Sequence, residues 1–375
     1  MLSVKVFFQK EPVFCISLLL ALASCLLVHP DWDYLAYPDY RTLALLFCLM
    51  IVVAGFQSLG VFALLGRTLL RMAHSVRRLS LMMVALCFFC SMVITNDVTL
   101  ITFVPFTMLV FRMIDRPERL VRLVVLETVA ANLGSMATPI GNPQNLYLCT
   151  SSGISMGQFA RAVLPYAGIA LVLLLTVVWI QRDELIPDVT LYGGDEDKKR
   201  KLLPAVLPFV ALLALCLLVV FRVLPYLPVL LCVAAVVVAL DRSLFRSVDY
   251  FLLLTFLCFF LFVGNIKRIP EISNVLTQLV SGRELWAGIL ASQVISNVPA
   301  AILLAEFAQD LPTLITAVNL GGLGTLIASL ASLISFQLFA RDYPEKKGVF
   351  LKAFTGWNLV FLLVLSAAAV VLTGL

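Results

Sequence analysis

The chain has 375 residues, of which 62% are hydrophobic and 13% are charged, and its mean hydropathy is +1.04. A water-soluble domain contains about 45–50% apolar and about 25% charged residues, so much of this chain is expected to lie in lipid. This composition excludes a soluble enzyme, a nucleic-acid-binding protein and a disordered protein. The net charge of +5 is small, and it indicates orientation in a membrane, with no nucleic-acid partner.

Nine segments are predicted to cross the bilayer, because a spanning helix needs about 20 mostly apolar residues. The third and the eighth of these segments are long and are interrupted by Gly, Pro and Asn. In chain order they are residues 13–29, 42–66, 120–150, 164–180, 203–221, 224–240, 249–265, 313–339 and 357–374.

Two further apolar stretches, 79–111 and 284–307, are each broken in the middle by a polar cluster. Each half has about 12–16 residues, which is too short to cross comfortably. We therefore predict two re-entrant helical hairpins, which enter the membrane and return on the same side. The predicted fold class is an all-α polytopic membrane protein with about nine transmembrane helices plus two re-entrant hairpins in an inverted repeat.

The distribution of positive charge predicts the orientation. Lys and Arg are enriched on the cytoplasmic side of membrane proteins. With the N-terminus in the cytoplasm, the inner segments contain 21 of the 27 basic residues and the outer segments contain six. The chain is therefore predicted to be a multi-pass protein of the plasma (inner) membrane with a cytoplasmic N-terminus. The inner segments are 1–12, 67–78, 112–122, 181–202, 241–248 and 341–352.

A pattern in the first hairpin recurs in the second, 201 residues later. The first reads SMVITND and the second reads SQVISNV. A second shared piece follows each hairpin: NLGSMATPI, which begins at Asn132, matches NLGGLGTLI, which begins at Asn319, at five of nine positions. Two matched motifs in the same order indicate an internal duplication.

The order of spans predicts that the two copies have opposite orientations. Residues 1–180 contain two helices, the hairpin 79–111, a broken helix and a helix, and residues 224–375 repeat this series around the hairpin 284–307. Residues 181–223 form a cytoplasmic linker and one connecting helix, so the second copy begins on the opposite side. Inverted repeats of this kind are common in secondary transporters, whose sites lie at the midplane where the copies meet.

Hairpin tips and helix breaks leave backbone groups unpaired, and each such group costs several kcal/mol in hydrocarbon. We expect an ion, a ligand or water to take up these groups. Hydroxyl and amide oxygens suit hard cations such as Na⁺, and the N-terminal ends of half-helices suit an anion. The glycines of the breaks let the backbone approach a ligand, although small-residue helix packing is the alternative explanation for them.

Three carboxylates lie inside apolar segments, where a charge costs roughly 2.5–3.5 kcal/mol. Asp97, on the first tip, is predicted to take up a proton or to help hold Na⁺. Glu127 is predicted to be a proton relay, and Glu306, near the end of the second hairpin, to reach the interface. Asp97 matches Val298 in the second tip, so the two half-sites are not chemically equivalent.

These motifs resemble those of the ion transporter superfamily, which includes divalent anion/sodium symporters, citrate carriers and arsenite/antimonite permeases. The stretches ITNDVTL, NLGSMATPIGNPQN and ISNVPAAILL are most similar to the arsenite-permease and citrate-carrier branches. The resemblance implies one cation site at Ser91, Thr95, Asn96 and Gly134, and a second at Ser292, Ser296, Asn297 and Gly322. It implies a substrate site formed by Thr95, Asn96, Asp97, Thr138, Pro139, Asn142, Ser296, Asn297, Val298 and Thr325.

The third tip positions depart from the symporter pattern, which has Thr there. An Asp beside a carboxylate substrate repels it unless the Asp is protonated or paired with a cation. The sequence therefore predicts a secondary active transporter for a small anion or oxyacid, such as arsenite, coupled to Na⁺ or H⁺. The alternative within transport is a Na⁺/H⁺ antiporter that uses Asp97 and Glu127 and carries no anion.

Other classes of function have little support in the sequence. An intramembrane enzyme lacks a visible HExxH or GxSxG motif, and an inverted repeat provides no obvious continuous pore for a channel. The CxxC of Cys87 and Cys90 lies in an apolar run and is interpreted as small packing residues. We expect no cofactor apart from Na⁺ as a coupling ion. The predicted partners are a small inorganic or organic anion and the lipid bilayer. The resemblance also implies that the chain can form a homodimer.

Overall fold

The computed structural model describes residues 11–62, 64–65, 68, 73–114, 117–151, 153–185 and 196–374. Within these ranges the chain forms α-helices and short 3₁₀ helices and contains no β-strand. Six helices are long and apolar enough to cross a membrane, which confirms the all-α, multi-pass prediction. The predicted cytoplasmic segment 1–10 and the linker stretch 186–195 lie outside the described residues.

Among the described residues up to 185, seven α-helices have defined bounds, and a break of seven residues separates α5 from α6. The helices are α1 Pro12–Leu27, α2 Tyr40–Ser58, α3 Val76–Ile94, α4 Asn96–Met113, α5 Pro117–Ser135, α6 Pro143–Ser151 and α7 Met156–Trp179.

Nine α-helices follow, and a second break separates α14 from α15. They are α8 Glu196–Val220, α9 Tyr226–Leu240, α10 Tyr250–Lys267, α11 Pro270–Val280, α12 Glu284–Ile295, α13 Asn297–Ala305, α14 Leu311–Leu320, α15 Leu330–Asp342 and α16 Lys347–Thr373. Helix α11 lies outside the segments predicted from the sequence. Its apolar Ile272, Val275 and Leu279 are exposed along one side, as in amphipathic helices that lie at a membrane surface.

The arms of the first hairpin are longer than predicted. Helices α3 and α4 have 19 and 18 residues, so the prediction that each arm is too short to cross was wrong for this hairpin. The apolar stretch 79–111 is shorter than the two helices together, because both helices continue through flanking arginines. Helix α3 is capped at its start by Ser75. In the second hairpin, α12 and α13 have 12 and 9 residues.

Ion pairs show that both ends of the α3–α4 pair lie at one end of the molecule. Arg77, at the start of α3, pairs with Asp183 beyond the end of α7 at 3.1 Å. Arg119, which follows α4 after a short connection, pairs with Glu184 at 2.6 Å. Since Asp183 and Glu184 are adjacent, α3 and α4 leave and return to the same end. This geometry, and not arm length, is what favours a re-entrant hairpin.

The opposite end contains a second group of ion pairs. Lys267 pairs with Glu306 at 2.6 Å, so this carboxylate reaches the surface. Arg268 pairs with Asp31 at 2.7 Å, and its hydrogen bond is the main cause that lowers the pKa of Asp31 below the ordinary value of 3.8. The cationic residues of the two groups are the ones that the sequence analysis assigned to opposite sides of the membrane.

A structural corner recurs before α2 and before α10. Asp31 and Asp241 each cap a 3₁₀ helix, and eight residues later Asp39 and Asp249 each cap the α-helix that follows. In both corners the next residue is a tyrosine whose hydroxyl donates to the carbonyl five residues before it, at 2.8 Å and 3.0 Å. The two halves therefore share a third feature, beyond the hairpins and the breaks.

Candidate functional site

The two hairpin tips adopt the same unusual backbone conformation. Thr95 has φ 72° and ψ 154°, and Ser296 has φ 73° and ψ 154°. This is a region that few residues other than glycine enter, at a cost of about 1–3 kcal/mol. It reverses the chain within one residue, so that Asn96 and Asn297 each begin the second arm at a helix N-terminus. At the first tip the backbone N–H of Asn96 donates to the carbonyl of Gly141 at 3.2 Å, and that of Asp97 donates to Asn96 Oδ1 at 3.1 Å.

Each tip is tied to the helix break of its own half by a threonine hydroxyl. Thr138 donates to the carbonyl of Met92 at 2.5 Å, and Thr325 donates to the carbonyl of Gln293 at 3.3 Å. Met92 and Gln293 both lie three residues before their tip residue. These threonines were predicted to bind substrate, whereas here their hydroxyls donate to hairpin backbone.

Glycines allow the breaks to approach the hairpins. A Cβ atom on Gly134 would lie 2.1 Å from the carbonyl oxygen of Phe88 and 2.6 Å from Ser91 Oγ. A Cβ atom on Gly321 would lie 2.6 Å from Ser292 Oγ. Gly321 therefore takes the place of Gly134 in the second half. The predicted Gly322 instead adjoins Asn297, whose Nδ2 would lie 2.8 Å from an added Cβ.

An asparagine in each half binds two residues beyond the break of the other half. Asn132 donates to Ser332 at 2.9 Å and accepts from Ser329 at 3.0 Å. Asn319 donates to Asn145 at 2.6 Å and accepts from Asn142 at 3.0 Å. In both directions the residue that donates to the asparagine lies 10 positions after the matched asparagine, and the residue that accepts from it lies 13 positions after.

This reciprocal set of bonds has the form of an isologous contact, in which residue i contacts j and the equivalent of j contacts the equivalent of i. All of its members are buried. The first tip joins the set directly, because Asn96 donates to Asn132 at 3.1 Å. The two breaks and the first tip thus form one buried polar centre between the halves.

A cavity of about 220 Å³ opens beside the first tip. Its wall is formed by one face of α2, the first tip, the break after α5 and the segment before α10. Asp97 and Asp249 both line it, and no Lys, Arg or His is found among its described lining residues. Its polar lining residues are Gln57, Thr95, Asp97, Asn142, Ser247 and Asp249.

Asp249, Ser329 and Ser332 were missed by the sequence analysis. A signal for Asp249 is present, since two aspartates eight residues apart and a following tyrosine occur in both corners. The two serines could also have been identified from the sequence. The offset of 187 residues that aligns Asn132 with Asn319 also aligns Asn142 with Ser329 and Asn145 with Ser332.

Several predicted residues lie apart from the cavity. Val298 is buried beneath the second tip, Thr325 is exposed and Pro139 is half-buried. Glu127 is fully buried, and Thr107 on α4 donates to its Oε1 at 2.6 Å. The structure thus places Thr95, Asp97 and Asn142 around one cavity, Asn96 and Asn297 at the tips, and Glu127 elsewhere.

Comparisons with known proteins identify the family of the chain. A family model described as citrate transporter matches residues 6–314. The chain is 34% identical over 303 residues to inner membrane protein YbiR of Escherichia coli K12, with 80% of each chain covered. It is 31% identical over 301 residues to uncharacterized transporter MJ0456 of Methanocaldococcus jannaschii, covering 80% of this chain and 81% of that one. A shorter match of 155 residues, 32% identical, joins 40% of this chain to 32% of the rice (Oryza sativa subsp. japonica) silicon efflux transporter LSI3.

Proposed function

The chain belongs to the citrate transporter family, and on that premise we propose that it is a secondary active transporter that moves a small anion or oxyacid across the membrane. The transport step is coupled to Na⁺ or H⁺ and proceeds by alternating access. The protein lies in the plasma (inner) membrane with its N-terminus in the cytoplasm, and its halves form an inverted repeat.

The reciprocal bonding of Asn132 and Asn319 is the observation that carries this proposal. It brings the breaks of both halves together with the first tip at a buried centre, which is where inverted-repeat transporters hold substrate and ion. Hydroxyl and amide oxygens at this centre are ligands of the type that Na⁺ prefers. The proposed cation sites therefore remain those around Ser91 and Ser292.

The cavity favours a substrate with little negative charge. Asp97 and Asp249 face it, and its described lining offers no positive side chain. Two like charges that share a site repel a third, so a free tricarboxylate is disfavoured. A weakly acidic hydroxylated solute, or an anion that enters with its charge neutralised by a cation, fits this lining.

The cavity face of α2 corresponds to an aromatic face of α10. The face of α2 that lines the cavity includes Leu46, Leu49 and Met50. The corner offset of 210 residues matches these three positions with the buried Phe256, Phe259 and Phe260 on α10. The ring of Phe260 packs against Tyr147 with centroids 5.6 Å apart. The two matched faces therefore carry side chains of different size, and the halves are not equivalent at these positions.

The test begins with a thermal-shift screen of citrate, arsenite and silicic acid, with and without Na⁺. Uptake of each stabilising solute into proteoliposomes is then measured. Asn96→Ala and Asn297→Ala are expected to abolish uptake while the protein remains folded and inserted. Asn358→Ala is the matched control, since Asn358 is buried but bonds only its own helix, at Phe354. Normal uptake in both tip variants would overturn the proposal.

The second candidate is a Na⁺/H⁺ antiporter that carries no anion. The two aspartates of the cavity favour it, because a site with carboxylates and no base attracts cations. Na⁺-driven proton movement in proteoliposomes, measured with a pH-sensitive dye in the absence of any solute from the screen, would establish this function. Dependence of the proton movement on one of those solutes would exclude it.

A further inference from the structure

Glu127 has an environment that sets it apart from the other carboxylates. Its side chain is fully buried between helices, ten residues into α5. Oε1 accepts a hydrogen bond from Thr107 at 2.6 Å. Within the described part of the chain the second oxygen, Oε2, is buried and has no hydrogen-bond partner. Buried polar atoms are nearly always satisfied in proteins, so this atom requires an explanation.

No cation compensates a charge at this position among the groups that face it. From α3 the buried thiol of Cys87 faces Glu127, and from α4 the neutral Thr107 does. The two nearest arginines of α5 are engaged elsewhere: Arg119 pairs with Glu184, and Arg122 donates to the carbonyl of Val177 on α7.

Helices α15 and α16 also pack against α5, and the polar and cation–π contacts that they make there involve other residues of α5. Ser335 on α15 shares a hydrogen bond with Thr128 at 2.6 Å, and Trp357 on α16 lies under the guanidinium of Arg122 at 4.9 Å. A carboxylate at mid-membrane costs roughly 2.5–3.5 kcal/mol even when neighbours can adjust. The neutral acid avoids this cost, so this environment favours the protonated form of Glu127 over the carboxylate.

We propose that Glu127 is the site that holds the coupling proton, in a compartment separate from the substrate cavity; this inference rests on the proposed transport function. The proton leaves as Glu127–COOH transfers it to water, and that step requires water to reach Oε2. Because α3, α4 and α5 enclose the group, water reaches it only when one of these helices moves.

Helix α4 is built to make this movement. Pro105 lies inside α4, two residues before Thr107, and its missing N–H leaves the helix without one internal hydrogen bond. The Thr107–Glu127 bond ties α4 to α5 on the C-terminal side of Pro105. On the N-terminal side of Pro105, α4 begins at Asn96 in the first tip. Loss or gain of the proton at Glu127 is thereby linked to the position of the first tip.

The protonation state is tested without any substrate. Infrared spectroscopy of the purified protein in nanodiscs is expected to show a protonated carboxyl C=O band that Glu127→Gln removes. Glu306→Gln is the matched control and leaves the band intact, because Glu306 is ion-paired at the surface. Thr107→Val moves the band to higher frequency, since it removes the bond to Oε1, and it carries the test if Glu127→Gln does not fold. A full band in Glu127→Gln, or an unshifted band in Thr107→Val, would overturn the assignment.

Coupling is tested by comparing accumulation with exchange. Citrate and silicic acid are each supplied to proteoliposomes under a pH difference of one unit, which drives about tenfold accumulation per coupled proton. Glu127→Gln is expected to lose this tenfold accumulation but to keep exchange of the same solute across the membrane, which needs no net proton transfer. If Glu127→Gln accumulates solute as the wild type does, the coupling role is refuted. If the wild type itself shows no exchange, the result counts against the transport function.

Discussion

Asn132 and Asn319 bind the two halves of the chain through the same pair of hydrogen bonds, each with its donor and acceptor directed into the opposite half. Each amide group donates to the residue 13 positions beyond its counterpart and accepts from the residue 10 positions beyond it. A side-chain amide offers both a donor and an acceptor, so one asparagine satisfies two polar partners on the other side of the interface. Neither Asp nor Leu at these positions can do this.

Removal of either asparagine is expected to destabilise the protein. Asn132→Ala removes the bonds to Ser329, Ser332 and Asn96, and Asn319→Ala removes those to Asn142 and Asn145. Each buried group left unsatisfied costs about 1–3 kcal/mol in soluble proteins, and a hydrogen bond between membrane helices contributes about 0.6 kcal/mol on average. Thermal unfolding in detergent measures the loss. A double-mutant cycle between Asn132 and Ser332 is expected to show coupling, while a cycle between Asn132 and Asn358 is expected to be additive. Additivity of the first pair would contradict the bonding described above.

The strained tips provide a second prediction. Thr95→Gly and Ser296→Gly are expected to raise the melting temperature, because glycine adopts positive φ without the cost of about 1–3 kcal/mol. The same variants are expected to reduce transport, since each removes a hydroxyl from the proposed site. Thr102→Gly is the control within α4: it lies inside the helix and is expected to lower stability by about 0.3–0.5 kcal/mol. Destabilisation by both tip variants would show that the tips carry no strain.

Close packing at the breaks provides a third prediction. Gly134→Ala places a methyl group against the backbone of Phe88, and Gly321→Ala places one against Ser292. Both are expected to lower stability, as overpacked cores do by about 1–3 kcal/mol. Gly168→Ala, in α7 with open space around it, is the control and is expected to be neutral or stabilising by up to about 1 kcal/mol. Equal behaviour of all three would contradict the close approach of breaks and hairpins.

The Asp31–Arg268 pair predicts a pH dependence at one end of the molecule. Because the pKa of Asp31 is lowered in the folded protein, the pair stabilises above the ordinary pKa of 3.8 and its contribution is lost as pH falls through the lowered value. Asp31→Asn is therefore expected to flatten the melting temperature profile below about pH 5. Asp33→Asn serves as control, because Asp33 lies 3.9 Å from Arg268, at a weaker contact distance.

Much of the fold could be predicted because lipid imposes simple rules. Each predicted span coincides with one α-helix or with two helices on either side of a break, and a helix pair joined by a one-residue reversal lies at each matched tip motif. The number of membrane crossings and the re-entrant course of the two pairs stay predictions. The length rule failed for α3 and α4, since helices continue through charged flanks that face water or ion-pair partners such as Asp183. Helix α11 was missed because its apolar residues recur at helical spacing and do not form a continuous run.

The site was only partly predictable, for a different reason. Asn132 belongs to a motif repeated in sequence, whereas its partners Ser329 and Ser332 match Asn142 and Asn145 only in position. The hydrogen bonds have the same geometry in both halves although the residue types differ. A comparison that looks only for identical residues does not detect this. Asp97 and Asp249 line the same cavity although they lie far apart in the chain, and no local sequence pattern predicts this.

The reciprocal hydrogen bonds of Asn132 and Asn319 bear on how a duplicated chain can be joined. A polypeptide with one corner, one hairpin and one broken helix already holds every donor and acceptor that such a joint requires, provided that it meets a copy of itself. The duplication that the matched motifs predict would keep this set of donors and acceptors. The two serines opposite Asn132 supply the same bonds as the two asparagines opposite Asn319, with a different side chain.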